Sequence, residues 1–172
     1  MDQPTLRRGF SRAVQEASGP GSVPTDGSSV ELKHPFFVFV EGIVYLENRF
    51  LMIRRAWNES YLPGKIAFPA GKVERETLGN ALEQAVTREI LEETGVTVKA
   101  PRYLSSESFL SSDRRWAISV QFLCEYSSGI PTPQPEEVFE VMWMTSSEVY
   151  FHPDTPEWIK RTLESAEKML AG

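Results

Sequence analysis

Cysteine, histidine and long apolar runs are all scarce in this 172-residue chain. With one cysteine, no internal disulfide can form. Cys124 falls in an apolar alternation (Trp116, Ile118, Val120, Phe122, Cys124) and reads as a buried strand residue rather than a nucleophile. Neither His34 nor His152 stands in a partner pattern, so both read as structural or exposed. No stretch approaches the ~18 apolar residues of a membrane span, so no membrane partner is expected and a cytoplasmic location follows by default. Positive charge is short too. Against 24 Asp and Glu there are 18 Lys and Arg, a net charge of −6, whereas binding a nucleic-acid polymer would want a basic face.

What is present fits one domain with a sizeable core, 41% hydrophobic overall. The first thirty residues stand apart. Ser18 to Ser29 is rich in Gly, Ser and Pro and reads as a linker, preceded by a short helix-compatible stretch carrying Arg7, Arg8 and Arg12. Asp2, Glu16 and the lack of an apolar core in that stretch argue against a cleaved targeting peptide. The expected organisation is therefore a flexible extension over 1–30 and a domain over 31–172.

Within the domain, His34–Val40, Gly42–Leu46 and Phe50–Arg55 read as strands, the last two joined by a tight turn at Glu47-Asn48-Arg49. Ile66–Pro69 reads as a short strand. Leu82, Ala85, Val86 and Ile90 recur at helical spacing and predict a helix over Asn80–Thr94 with Asn80 as its cap. Further strands are predicted at Val96–Lys99, Tyr103–Phe109, Trp116–Tyr126 and Val138–Met144. Thr145-Ser146-Ser147-Glu148 has capping-box spacing. Thr155-Pro156 places a capping residue before a proline at the first helical position, opening a C-terminal helix with Trp158, Ile159, Thr162, Leu163, Ala166 and Leu170 on one face. Strands interrupted by one helix and closed by another imply an α/β fold with a mixed sheet between helices.

The most informative segment is Arg88-Glu89-Ile90-Leu91-Glu92-Glu93-Thr94-Gly95-Val96. Glu89, Glu92 and Glu93 sit at i, i+3 and i+4 and share one helix face, where like charges repel by roughly 0.2–0.5 kcal/mol per pair. Gly95 marks this as a helix C-terminus, which favours cations, so the acids are doubly misplaced. Two readings follow: a solvated acidic face, or a site for a hard divalent ion such as Mg²⁺ or Mn²⁺ that takes oxygen ligands.

The same residues, with Leu51–Ala56 and Ala67-Phe68-Pro69-Ala70-Gly71-Lys72-Val73-Glu74 upstream, resemble the Nudix box of MutT-like proteins, and the likeness extends over roughly residues 35–150. There are two departures. Ala70 replaces the first glycine of the usual pair, and Gly71 to Arg88 spans 17 positions, three more than the family pattern. The extra residues fall in Arg75–Asn80, so the first box glutamate has no clear counterpart; Asn80, Thr77 and Glu76 are the nearest positions. The resemblance implies a Nudix α/β/α sandwich and a pyrophosphohydrolase dependent on Mg²⁺ or Mn²⁺. Its substrate would be a nucleotide-type small molecule, a nucleoside diphosphate linked to another group. Glu89, Glu92, Glu93 and the Gly71 carbonyl would be metal ligands, with Glu89 also the general base or water-orienting group.

Other roles follow from position. Arg88, within reach of Glu92, is expected to orient the carboxylates by ion pairing. Strand alternation sends only one of Arg54 and Arg55 to the site; Arg55 is read as a phosphate contact or as surface charge. Glu137 is read as an extra catalytic glutamate or as part of a solvated acidic loop. Phe37, Tyr45, Phe109 and Trp116 are read as base-stacking surfaces or core.

For substrate, the motif neighbourhood leans toward nucleoside triphosphates cleaved to monophosphate and pyrophosphate, with Asp154 as a candidate base reader. Pro101 comes too early for the proline of ADP-ribose members, and Ile53, Ala56 and Ser60 break the coenzyme A signature. Two rivals remain: a nucleotide sensor disabled by the longer box loop, and an isoprenoid diphosphate isomerase, which would want a reactive cysteine. The chain is expected to be a monomer or homodimer.

Overall fold

The computed structural model describes residues 37–74, 79–110 and 115–172. The N-terminal extension, His34, Glu76 and most of the box-loop insertion lie outside the described residues. Eight strands and three helices are described: β1 (Phe37–Leu46), β2 (Arg49–Arg55), β3 (Ile66–Ala67), β4 (Ala70–Lys72), α1 (Ala81–Thr94), β5 (Val96–Val98), β6 (Arg102–Leu110), β7 (Trp116–Gly129), β8 (Val138–Thr145), α2 (Ser146–Phe151) and α3 (Glu157–Ala171).

The sheet runs β3-β2-β1-β7-β5, with β4 on β1, β6 on β7 and β8 on β2. β1 and β7 pair in parallel and the other pairings are antiparallel, so the sheet is mixed. Alternation in the strands builds a core on each face. Val40, Val44, Leu51, Val120, Phe122 and Cys124 pack with Ala85, Val86 and Ile90 of α1. On the other face Ile43, Phe50, Met52 and Leu123 pack with Val149 of α2 and with Ile159, Leu163 and Ala166 of α3. This is the mixed-sheet α/β architecture expected from the element order.

Four local expectations are corrected. The break expected near Glu41-Gly42 does not exist, and β1 is continuous through both residues. Gly42 lets α1 approach: a Cβ there would stand 2.5 Å from Cδ1 of Ile90 and 3.2 Å from Cγ2 of Val86. Asn80 does occupy the cap position of α1, but it is left-handed (φ 46, ψ 41) and its side chain makes no capping hydrogen bond. The proline of Thr155-Pro156 is itself the cap of α3, which starts one residue late, and the Thr155 hydroxyl is buried without a protein partner among the described residues. The Ile66–Pro69 strand is also divided: Pro69 has no N–H to donate, and β3 ends at Ala67 before β4 begins at Ala70.

Other signals hold. Glu47 and Asn48 form a two-residue turn between β1 and β2, with Glu47 at φ 54. The capping box forms in full around Thr145 and Glu148.

Replacing Gly42 with valine should overpack the α1–sheet contact and destabilise the fold by about 1–3 kcal/mol. Denaturant unfolding of Gly42→Val against wild type reads this directly; an unchanged midpoint would contradict the close approach.

Candidate active site

The last two turns of α1 carry the acidic residues, and β4 lies against them. Glu89 and Glu93 point inward and are only 8% and 3% exposed, while Glu92 is exposed. Burying carboxylates is costly unless each has a partner. For Glu93 the partner is backbone: the Ala70 N–H donates to its Oε2 at 2.9 Å. For Glu89 it is Arg88, whose Nη2 lies 2.8 Å from Oε1. The other guanidinium nitrogen of Arg88 donates to Glu92 Oε2 at 2.7 Å, and Nη2 also donates to the Lys72 carbonyl at 3.1 Å. A half-exposed i,i+4 pair of this kind contributes only ~0.3–0.5 kcal/mol to stability. The importance of Arg88 is therefore geometric: it ties two of the acids to each other and to β4.

Gly71 is there for space. A Cβ at this position would fall within the Glu89 carboxyl group. No side chain of any size fits between β4 and α1 at this point.

The loop before β8 reaches the same place by a different route. A helix leaves its last carbonyls without partners. Here the N–H groups of Thr132 and Gln134 take two of them, donating to Thr94 O at 2.8 Å and Glu93 O at 3.2 Å. Gln134 then holds the next turn, accepting from Glu137 N at its side-chain Oε1 (2.9 Å). Ala56 N donates to the Glu137 carbonyl at 2.9 Å, which fixes the loop to the end of β2.

These elements enclose a cavity of about 380 Å³ lined by Glu74, Arg88, Glu89, Glu92, Glu93, Gln134 and Glu137. The structure thus brings together Arg88, Glu89, Glu92, Glu93 and Glu137, with Gly71 directly behind Glu89. It adds Glu74 and Gln134, which sequence reasoning missed. Glu74 lay at the end of the Ala70–Glu74 motif segment, where the lengthened loop obscured its role; nothing in the sequence marked Gln134.

Arg55 faces the same side, and its charge favours ionisation of Glu93. Its guanidinium is held, however, by Glu59 Oε2 at 2.8 Å and by the Tyr61 carbonyl at 2.9 Å. Asp154 is placed elsewhere. It pairs with Arg54 (3.1 Å) and Lys65 (3.2 Å), and it does not line the cavity. His152 belongs to that same network, accepting from Asp154 N at 3.1 Å. Cys124 is fully buried in β7 and burial pushes its thiol up to about 12, which leaves the isomerase reading without a nucleophile.

Charge in the cavity is out of balance. Burial raises the Glu93 carboxyl to about 8; Glu89 and Glu137 add to the rise, while the Ala70 N–H and Arg55 oppose it. Burial also raises Glu89, partly offset by Arg88. Among the described residues no three acidic side chains already converge as a chelating group. The reason is visible in the hydrogen bonds: Arg88 draws Glu89 and Glu92 to itself, and Glu93 turns to Ala70. The donor set is nonetheless all oxygen and over-rich in negative charge. That chemistry fits a hard divalent cation.

Against known proteins, the NUDIX domain family model matches residues 38–165. The chain belongs to the Nudix family. Similar curated proteins include the NAD-capped RNA hydrolase NudC of Salmonella agona and that of Escherichia coli. Each is 33% identical over 100 residues, which is 58% of this chain and 37% of the relative. The aligned part therefore spans little more than a third of those relatives' length. Among solved structures, a MutT protein from Methanosarcina mazei Go1 superposes with a TM-score of 0.68 at 24% identity, covering 82% of this chain and 99% of that one. The NUDIX domain of Shewanella oneidensis NrtR, complexed with ADP ribose, gives 0.69 at 22% identity, covering 84% and 94%. Both show the Nudix fold.

The raised Glu93 carboxyl has a consequence for stability. Its folded value lies above the ordinary 4.5, so the stabilising neutral form is fully present below 4.5 and is lost as pH rises toward about 8. In chelator, the melting temperature should fall across that interval, and Glu93→Gln should flatten the slope. An equal slope in the variant would show that Glu93 is not the titrating group.

Proposed function

We propose that this chain is a divalent-cation-dependent Nudix pyrophosphohydrolase acting on a nucleoside diphosphate linked to another group. The observation that carries this reading is the burial of two carboxyls in an acid-lined cavity, Glu89 paired with Arg88 and Glu93 with the Ala70 N–H of β4. A fold serving only as a scaffold has no use for such a costly arrangement. A nucleotide sensor need not keep it either.

Glu89, Glu92, Glu93 and the Gly71 carbonyl would hold Mg²⁺ or Mn²⁺. Such an ion, when bound, screens the diphosphate charge and makes a bound water more acidic. The protein groups do the rest. Glu93 stays oriented through the Ala70 N–H. Glu89, with one oxygen on Arg88, has the other available to accept a proton from the attacking water. Arg88 keeps Glu89 and Glu92 on the cavity side of the helix rather than touching substrate. Glu137, held by Gln134, is a further acid at the cavity wall. Arg55 would approach a substrate phosphate by exchanging its contact with Glu59.

Within this class, the motif residues favour nucleoside triphosphates, yielding a monophosphate and pyrophosphate. A second reading has support of its own. The NudC relatives are named for an NAD cap and the NrtR domain is complexed with ADP ribose, so adenosine diphosphate conjugates belong in any substrate test.

Glu93→Gln should lower cation-dependent turnover by ~100-fold or more, the upper range for disturbing even an outer partner of a metal ligand, while the melting curve stays cooperative. The readout is phosphate and pyrophosphate release with Mg²⁺ or Mn²⁺ across nucleoside triphosphates, oxidised nucleotides, ADP-ribose, dinucleoside polyphosphates and coenzyme A. Near wild-type rates in the variant would remove the carboxylates from the mechanism. Deleting residues 1–28 should leave kcat/KM within about twofold, well under the tenfold that ~1.4 kcal/mol represents; a large loss would place the extension in the site.

A further inference from the structure

On the face of the sheet that carries α3, the apolar core ends at Ile43 and Leu123. One alternation step further along β1 and β7 stand Glu41 and Gln121, paired across the two strands. Both are almost fully buried, at 8% and 4% exposure. The Gln121 side chain hydrogen-bonds the Glu41 carboxyl. Gln121 is itself held by hydroxyls, accepting from Ser105 at 3.1 Å and donating to Ser119 at 3.2 Å. Phe39 and Phe109 lie on the same face, ring centroids 6.0 Å apart, and both are partly open to solvent. This is a polar floor beside an aromatic wall.

The floor is poorly explained as packing. A carboxyl at this depth is usually paired with a cation. Here burial opposes its charge, and the charge of Glu107 opposes it further. The Lys72 ammonium on this face lies over the Phe37 and Phe39 rings, 5.8 and 5.9 Å from their centroids. Leucine would fill the position at less cost.

Its location is informative. Glu41 pairs with Ala70 of β4, and Val40 pairs with Gly71. Ala70 N–H holds Glu93. The polar floor and the acid-lined cavity therefore lie on opposite faces of the same short strand, and β4 has no further strand on its outer side among the described residues.

We propose that Glu41 is the residue through which this chain reads its substrate's base. Its carboxyl, steadied by Gln121, meets the hydrogen-bonding edge of an adenine whose ring lies against Phe39 and Phe109, while the diphosphate passes the edge of β4 to the acid-lined cavity. This rests on the hydrolase reading above. Burial favours the un-ionised carboxyl, which offers one O–H donor beside one C=O acceptor. Adenine presents the complement, a ring-nitrogen acceptor beside its 6-amino donor. A purine offers more ring area to Phe39 and Phe109 than a pyrimidine does, and guanine's N1–H and 2-amino donors would call for two acceptors.

The test uses the full-length chain with Mn²⁺ and two substrate sets, the triphosphates and the diphosphate-glucose conjugates of adenosine, guanosine, cytidine and uridine. Wild type should prefer adenine. Glu41→Leu, which keeps the site filled but removes both hydrogen-bonding groups, should shrink that preference at least ~10-fold in kcat/KM ratio, through KM more than kcat. Glu41→Gln offers a donor and an acceptor in the same shape and should retain the preference. That arm stands on its own if the leucine variant fails to fold. Wild-type turnover without base preference, an unchanged ranking in Glu41→Leu, or a scrambled ranking in Glu41→Gln each overturns the assignment to Glu41 and leaves the hydrolase reading intact. Wild-type silence on every substrate, here and in the broader panel, overturns the hydrolase reading and this proposal with it.

Discussion

Two glutamates buried against a strand backbone organise the functional half of this molecule. Glu93 reaches its depth because the Ala70 N–H meets it, and Glu89 because Gly71 has no side chain to occupy the same volume. Neither contact survives if β4 shifts. β4 is held in turn by pairing with β1 and by the Gly42 N–H donating to the Pro69 carbonyl at 2.9 Å. Pro69 thus does two things: it ends β3, and its carbonyl anchors the turn that delivers β4 to the helix. Gly42 has a second duty on the same strand, admitting Ile90 of α1. The site depends on a helix and a strand being brought unusually close, and glycines at 42 and 71 permit it.

The sheet then separates two kinds of chemistry. On the α1 side sits negative charge in excess of its partners, with one arginine bridging two of the acids. On the α3 side Arg54 and Lys65 share Asp154, and the Glu41–Gln121–Ser floor stands on β1 and β7. The last turn of α1 links the cavity to the rest of the chain. Two of its spare carbonyls are taken by Thr132 and Gln134, which fixes the loop bearing Glu137 to the end of α1.

Much of this was legible beforehand, for physical reasons. Strong periodicity marked α1, β7 and β8, because a buried face imposes period 3.6 on helices and 2 on strands. The i, i+3, i+4 acids and Gly95 were readable because their spacing opposes what an isolated helix would choose. Errors came where a local preference yielded to tertiary contact. Glu41-Gly42 reads as a break but is the middle of β1, since packing against α1 supplies what the glycine lacks. Asn80 reads as a capping side chain but is used for its tolerance of the left-handed region. Asp154 pairs with Arg54 and Lys65, contacts that its place in the sequence does not reveal. Gln134 and Glu41 were invisible for a simpler reason: their environment is made by residues distant in sequence.

The central claim is that the acids of this cavity exist to hold a divalent cation. Electron paramagnetic resonance of free Mn²⁺, titrated into wild-type protein and into a Glu89→Gln/Glu93→Gln double variant, tests it without any assumption about substrate. The account predicts saturable loss of the free-ion signal in the wild type, reversed by Mg²⁺, and little loss in the variant. A signal that grows linearly with added Mn²⁺ in both proteins would contradict it.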